Sequence, residues 1–186
     1  MPTSNYPKAS FKIETERLTL SPWTEGDREH IVELYADPDA SRDFGRTLTR
    51  VESEKTFDKY LAAFEAHGFT RWKLSLKDGT FIGTTGVMRV INHQALGTHD
   101  EIGWRLLPSF WGKGYATEAA RAALTDVQTR CGLRDIITYT SPDNLASQAV
   151  MERLGYIRTP ERDFSAVYET VEGGVWHGWV WSVPNP

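Results

Sequence analysis

Cysteine is nearly absent. Cys131 is the one thiol in 186 residues, which excludes an internal disulfide and a thiolate metal site. No apolar run approaches membrane-spanning length, and Met1 to Lys12 lacks the apolar stretch of a secretory leader. The cytoplasm is therefore the expected location, with no membrane partner. Basic excess is missing too: the net charge is −4, which leaves no electrostatic footprint for nucleic acid. His30, His67, His93 and His177 are scattered without metal-ligand spacing, so no metal is expected. No Gly-x-Ser-x-Gly elbow occurs, and Cys131 falls between a helix and Gly132, so nothing argues for an acyl-enzyme. The P-loop pattern is absent. A dinucleotide fingerprint fails because Thr117 stands where the third glycine after Gly112 and Gly114 should be.

Charged residues at 25% and hydrophobic residues at 40% describe an ordinary globular chain. The length suits one domain, 1–186, with residues 1–12 expected to be flexible. Trp176, Trp179 and Trp181 crowd the last strand-like segment. Trp179, Trp181 and Val183 share one side at period two, a face for a core or an interface, and a homodimer is left open.

Periodicity divides the chain into elements. Ile13–Pro22 reads as a strand, Glu25–Ala36 as a helix closed by Asp37-Pro38, and Val51–His67 as a helix ended by Gly68. Arg71–Leu76 and Thr80–Val90 read as strands around an Asp78-Gly79 turn. Asn92–His99 reads as a polar loop, followed by the strand Asp100–Leu107. Ala116, Ala119, Ala120, Ala123, Leu124 and Val127 then mark one face of a helix running to Arg130. A strand Ile136–Thr140, a helix Leu145–Leu154 ended by Gly155, and two strands joined across Gly173-Gly174 complete the chain. The order is β-α-α-β-β-β-α-β-α-β-β. It implies an α/β (α+β) domain with a mixed sheet of about seven strands and helices on both faces.

Trp111-Gly112-Lys113-Gly114-Tyr115-Ala116-Thr117 joins the strand ending at Leu107 to the next helix. Small residues there leave backbone N–H groups uncovered where the helix dipole presents positive charge, a place suited to a diphosphate.

These residues resemble the GNAT superfamily of acyl-CoA-dependent N-acyltransferases across nearly the whole chain. Glu101-Ile102-Gly103-Trp104, the glycine turn, and Asn144-x-x-Ser147 leading to Glu152-Arg153-Leu154-Gly155-Tyr156 carry the likeness. They are similar to the branch that acetylates ribosomal-protein N-termini. The resemblance implies acetyl-CoA as co-substrate. It implies a pantetheine arm bonded to the backbone edge of Trp104, Arg105, Leu106 and Leu107 where that strand splays from the next. The diphosphate would sit on amides from Trp111 through Gly112, Lys113, Gly114, Tyr115 and Ala116 to Thr117, with Lys113 as an added charge. Asn144 resembles the asparagine that bonds pantetheine, and is also placed to cap a helix, as are Asp143 and Ser141. Met151 stands where many members carry the tyrosine that protonates the leaving thiolate. Ser147 or water is then left as the donor, or the thiolate leaves unaided.

The implied reaction is direct attack of a neutral primary amine, at a protein N-terminus or on a small molecule, on the thioester. A general base would contribute about 10²–10⁴-fold. Glu101 is the candidate, with His99 a weaker one. In an ideal strand Glu101 shares a face with Arg105, so pairing with Arg105 is its alternative role. Phe44, in the loop between the first two helices, and Phe69, at the His67-Gly68-Phe69 corner, are expected to shape the acceptor site. So are the Asn92–His99 loop and the last hairpin. Asp43, Glu101 and Asp163 are candidates for attracting a cationic amine. A catalytically silent acyl-CoA-binding sensor is the alternative function.

Overall fold

Leu18 and Leu20 alternate with Thr19 and Ser21 and are fully buried, the period-two pattern of a half-covered strand. They belong to β2 (Leu18–Ser21), which pairs antiparallel with a two-residue β1 (Ile13–Glu14). The predicted single strand Ile13–Pro22 is thus broken. The Leu18 amide donates to Thr15 Oγ1 at 2.9 Å, and this side-chain turn replaces a straight strand. The computed structural model describes residues 11–167 and 174–183. Most of the segment 1–12 expected to be flexible, and Gly173 of the last predicted turn, lie outside the described residues. Phe11 stacks on Trp72 with ring centroids 5.3 Å apart.

Helix α1 (Arg28–Ala36) follows a turn of 3-10 helix at Glu25–Asp27. Helix α2 (Arg50–His67) opens on a reciprocal cap between Thr49 and Glu52 and closes at Gly68, whose φ of 74° suits glycine. Next come β3 (Arg71–Leu76), β4 (Phe81–His93) and β5 (Gly97–Leu106), joined antiparallel. The predicted Asn92–His99 loop is corrected, because both strands run into it. One side of this ribbon is solvated, so polarity there did not signal a loop. Helix α3 (Tyr115–Arg130), β6 (Ile136–Thr140), α4 (Leu145–Arg153), β7 (Ile157–Arg158), β8 (Phe164–Val167) and β9 (Val175–Ser182) complete the described chain.

The nine strands of the described residues lie in the order β1-β2-β3-β4-β5-β6-β9-β7, with β8 on β9. Three buried clusters pack the described residues, the smallest made of Ile137, Phe164, Ala166 and Val180. Trp72, Ile102 and Leu106 pack under the alanine face of α3 with Met151 of α4, while Tyr35, Phe57, Tyr60 and Phe81 form the core beneath α1 and α2. Trp181 is buried in the first core, whereas Trp179 is half-buried under Arg158, whose guanidinium carbon lies 4.5 Å from its ring. Strand alternation turns Arg71, Glu101 and Arg105, the neighbours of Trp72, Ile102 and Leu106, toward the α1–α2 face. No helix among the described residues is long and apolar enough to cross a membrane.

Candidate active site

β5 and β6 pair in parallel only at Asp100 with Ile136 and Glu101 with Ile137. Beyond Glu101 they part. β5 stays with β4 as far as Leu106 opposite Gly83, and β6 stays with β9. A cleft of about 1770 Å³ fills the fork, larger than the roughly 300–1,000 Å³ of ordinary small-molecule pockets. Its volume suits a long co-substrate together with a second reactant.

The Leu107 amide donates to Ile82 O at 3.0 Å. Alternation then directs the backbone groups of Trp104 and Leu106 into the fork and those of Arg105 toward β4. Trp104, Arg105 and Leu106 line the cleft. Arg105 and Leu107 are corrected: their backbone groups belong to the ladder with β4, and the Leu107 side chain packs against the α1–α2 core. The Leu106 carbonyl accepts the Trp111 indole N–H at 2.8 Å, so Trp111 folds the glycine turn back onto the strand edge.

Gly112 and Gly114 have φ of 72° and 80°, and the space where a Cβ would stand is open at Gly112. Glycine is required here for backbone conformation more than for room. Gly114 caps α3 without any side-chain cap, and the first helical bond runs from Glu118 N to Gly114 O. The amides of Tyr115, Ala116 and Thr117 therefore have no partner within the helix and sit at the cleft wall. Lys113 is turned away: its ammonium donates to Ser109 O at 3.0 Å and lies over Phe110. Glu118 ties the turn to the first hairpin through Thr15 Oγ1 at 2.6 Å and Arg17 Nε at 2.7 Å. Burial raises its pKa, but these donors outweigh it and hold the carboxyl below its usual range.

On the other wall, Asn144 caps α4, its Oδ1 accepting the Ser147 amide at 3.2 Å. The cap uses Oδ1 alone, and the predicted contact with pantetheine would use the Nδ2 amide group. Ser147 lines the cleft one turn into α4. Met151 is 1% exposed and belongs to the first core, and it also lines the cleft beside Ser147.

At the root of the fork the Glu101 carboxylate meets Arg71 Nη2 at 3.1 Å and accepts the Tyr139 hydroxyl at 3.4 Å. The alternative pairing of Glu101 with Arg105 does not form. Arg105 instead makes a two-pronged pair with Asp43, both bonds 2.6 Å, and covers Phe44. Asp43 and Glu101 are thus both neutralised by buried arginines, while Asp163 pairs with Arg158 outside the cleft. Phe44 lines the cleft; Phe69 is 3% exposed within the first core and does not. His99 stands beside Tyr139, with ring centroids 5.9 Å apart, and is not a cleft residue. No group of three metal-ligating side chains occurs among the described residues.

Arg71, Tyr139, Glu118, Tyr35 and Tyr60 were not legible as site residues. For Arg71 one signal existed. Gly103 interrupts a strand, and such a glycine often marks close approach by another group; here a Cβ would lie 2.6 Å from the Arg71 guanidinium.

Residues 17–157 match the family described as acetyltransferase (GNAT) domain. The chain is 32% identical over 178 residues to the FsC-acetyl coenzyme A-N(2)-transacetylase of Aspergillus fumigatus, covering 92% of this chain and 74% of that one. It is similar to a solved acetyltransferase from Agrobacterium tumefaciens, with a TM-score of 0.77 and 25% identity over 99% of this chain and 100% of that one. A ribosomal L7/L12 alpha-N-protein acetyltransferase in complex with coenzyme A gives a TM-score of 0.71 at 16% identity, over 92% of this chain and 97% of that one. At that identity the likeness is one of fold.

Proposed function

The chain belongs to the GNAT acetyltransferase family, whose members use acetyl-CoA, and on that premise we propose that it moves the acetyl group directly onto a primary amine. The fork carries this reading: a backbone edge at Trp104 and Leu106, uncapped amides at the start of α3, and a carboxylate at its root. The edge would take the pantetheine amides as an added strand takes its neighbour. The α3 amides, from Tyr115 to Thr117, would take the diphosphate. Once the thioester carbonyl lies near Glu101, an amine arriving from the α1–α2 face meets both.

Glu101 takes the proton of the attacking amine, directly or through one water. Arg71 and Tyr139 position its carboxylate. The tetrahedral intermediate collapses, the C–S bond breaks, and the thiolate collects a proton from Ser147 or water. No cysteine or histidine lines the cleft among the described residues, which supports direct transfer over an acyl-enzyme. The names of the relatives place their acetyl groups on N(2) of one compound and on the α-nitrogen of a protein. Both names support an amine acceptor here.

The test is steady-state release of free thiol from acetyl-CoA with N-terminal peptides, amino acid amides, polyamines and aminoglycosides. Turnover with at least one amine is expected. Binding of acetyl-CoA without turnover would favour a sensor, and one acetyl equivalent retained on the protein without amine would show an acyl-enzyme.

A further inference from the structure

Two tyrosines touch at the floor of the cleft on the face that carries Glu101. Tyr35 of α1 and Tyr60 of α2 are 4% and 7% exposed, and their hydroxyl oxygens lie 2.8 Å apart. Both line the cleft. Burial, with the Tyr35 hydroxyl beside it, holds the Tyr60 phenol well above its usual pKa. The Tyr60 ring therefore stays protonated.

Proton counting makes this pair informative. Two phenols carry two O–H protons, and their mutual hydrogen bond uses one. The second has no protein acceptor among the described residues. The charged groups beside Tyr60, Arg71 and Arg105, carry only donors. A buried donor without an acceptor costs about 1–3 kcal/mol, so the free proton points to an acceptor atom supplied from the cleft.

Resting on the transferase reading, we infer that the Tyr35–Tyr60 pair is a hydrogen-bond subsite for a neutral carbonyl oxygen on the acceptor. The preferred substrate class is then primary amines that carry an amide carbonyl close to the nitrogen. The position selects the acceptor rather than the coenzyme. Arg105 lies over Tyr35, 5.2 Å from the ring centroid, and belongs to the α1–α2 face. The coenzyme edge lies in the plane of the sheet, and the α3 amides belong to the opposite face. Charge selects a neutral group: both guanidiniums are neutralised by carboxylates, so a second carboxylate would be buried without a free cation.

The experiment compares kcat/KM for an α-amino amide and for an alkylamine of matched size, in the wild type, Y35F, Y60F and Y35F/Y60F. Either phenol alone still offers one proton, so each single variant should keep the amide preference. The double variant removes the donor and leaves no orphaned partner, which protects the fold. In it the amide-over-alkylamine ratio should drop about threefold to tenfold, the scale of one hydrogen bond. Acetyl-CoA affinity, measured by calorimetry, reports that the protein is folded. An unchanged ratio in a coenzyme-binding double variant overturns the subsite. A wild-type preference for free α-amino acids over their amides overturns the neutral-carbonyl assignment. Absence of turnover with every amine would instead count against the transferase reading.

Discussion

Arg71 and Glu101 meet across two strand boundaries. Arg71 starts β3, Glu101 lies on β5, and the guanidinium crosses β4 to reach the carboxylate at 3.1 Å. Its path runs over Gly86 and Gly103, which face each other in the ladder; Arg71 also donates to the Gly86 carbonyl. Two glycines in register open a channel through which a long side chain reaches the fork.

Glu101→Gln keeps the shape of the side chain and cannot accept the proton. Turnover is expected to fall by about two orders of magnitude. Coenzyme affinity should barely change, since the contact proposed for the coenzyme on this strand is through backbone. The acidic limb of the pH–rate profile should vanish. Retention of that limb would assign the neutral amine to the substrate's own pKa.

Gly103→Ala tests the channel. The added Cβ would stand 2.6 Å from the Arg71 guanidinium, the mobile end of a side chain, so Arg71 moves and the fold survives. Loss of the positioned carboxylate should cost about tenfold or more in kcat, with the acidic limb displaced. Arg71→Lys should resemble it, because an ammonium cannot reproduce the guanidinium's planar fork. A shifted melting temperature with unchanged kcat and pH profile would give Arg71 a purely structural role.

The observed cap and the proposed coenzyme contact of Asn144 are separated by one pair of variants. Asn144→Ala removes the cap on the Ser147 amide and should lower stability by about 1 kcal/mol. Asn144→Asp keeps the cap but replaces the Nδ2 donor with an acceptor. Coenzyme affinity should then fall in both variants, while thermal stability falls only in the alanine one. Equal affinity in the wild type and the aspartate variant would leave Asn144 as a cap alone.

Met151 is a core residue, so its substitutions should act on stability. Met151→Ala is expected to cost about 2–5 kcal/mol, read by denaturant unfolding. Met151→Leu should cost less than about 1.5 kcal/mol. Met151→Tyr, with a larger ring and a hydroxyl to satisfy, should destabilise and not raise turnover. Met151 also lines the cleft, so a folded tyrosine variant that turns over faster would give position 151 a part in the reaction.

His93 gives the fold a pH dependence above the range of its carboxylates. Burial and the neighbouring His99 push its pKa below the usual value of 6.5, against an opposing pull from Glu101. Its Nδ1 also accepts the Ala95 and Leu96 amides. The folded state thus binds fewer protons than the unfolded one. The contribution is complete above about pH 6.5 and is lost as pH falls through the depressed folded value. Melting temperature should decline as pH falls below about 6.5. His93→Asn, which keeps an acceptor but cannot charge, should flatten that decline. An unchanged slope would move the effect to other groups.

Local features were legible in the chain itself. The glycine turn, the alanine face of α3 and the Asn144 cap each depend on residues within a few positions of one another. Backbone conformation, helical period and capping act over just that range, so a linear reading captures them. Strand content was legible as well, because alternation is written residue by residue. The break at Thr15 was missed, since a side-chain turn competes with a ladder only when a neighbouring strand is known. Tertiary pairing decided the rest. Glu101 lies 30 residues from Arg71 and Arg105 lies 62 from Asp43. Nothing in periodicity links them, whereas sheet register and loop packing bring them within bonding distance. Glu101 and Arg105 share a face, as alternation required, but their partners were chosen by which helices and strands cover it. The parting of β5 from β6 is also a tertiary fact: it exists because β4 holds one strand and β9 the other.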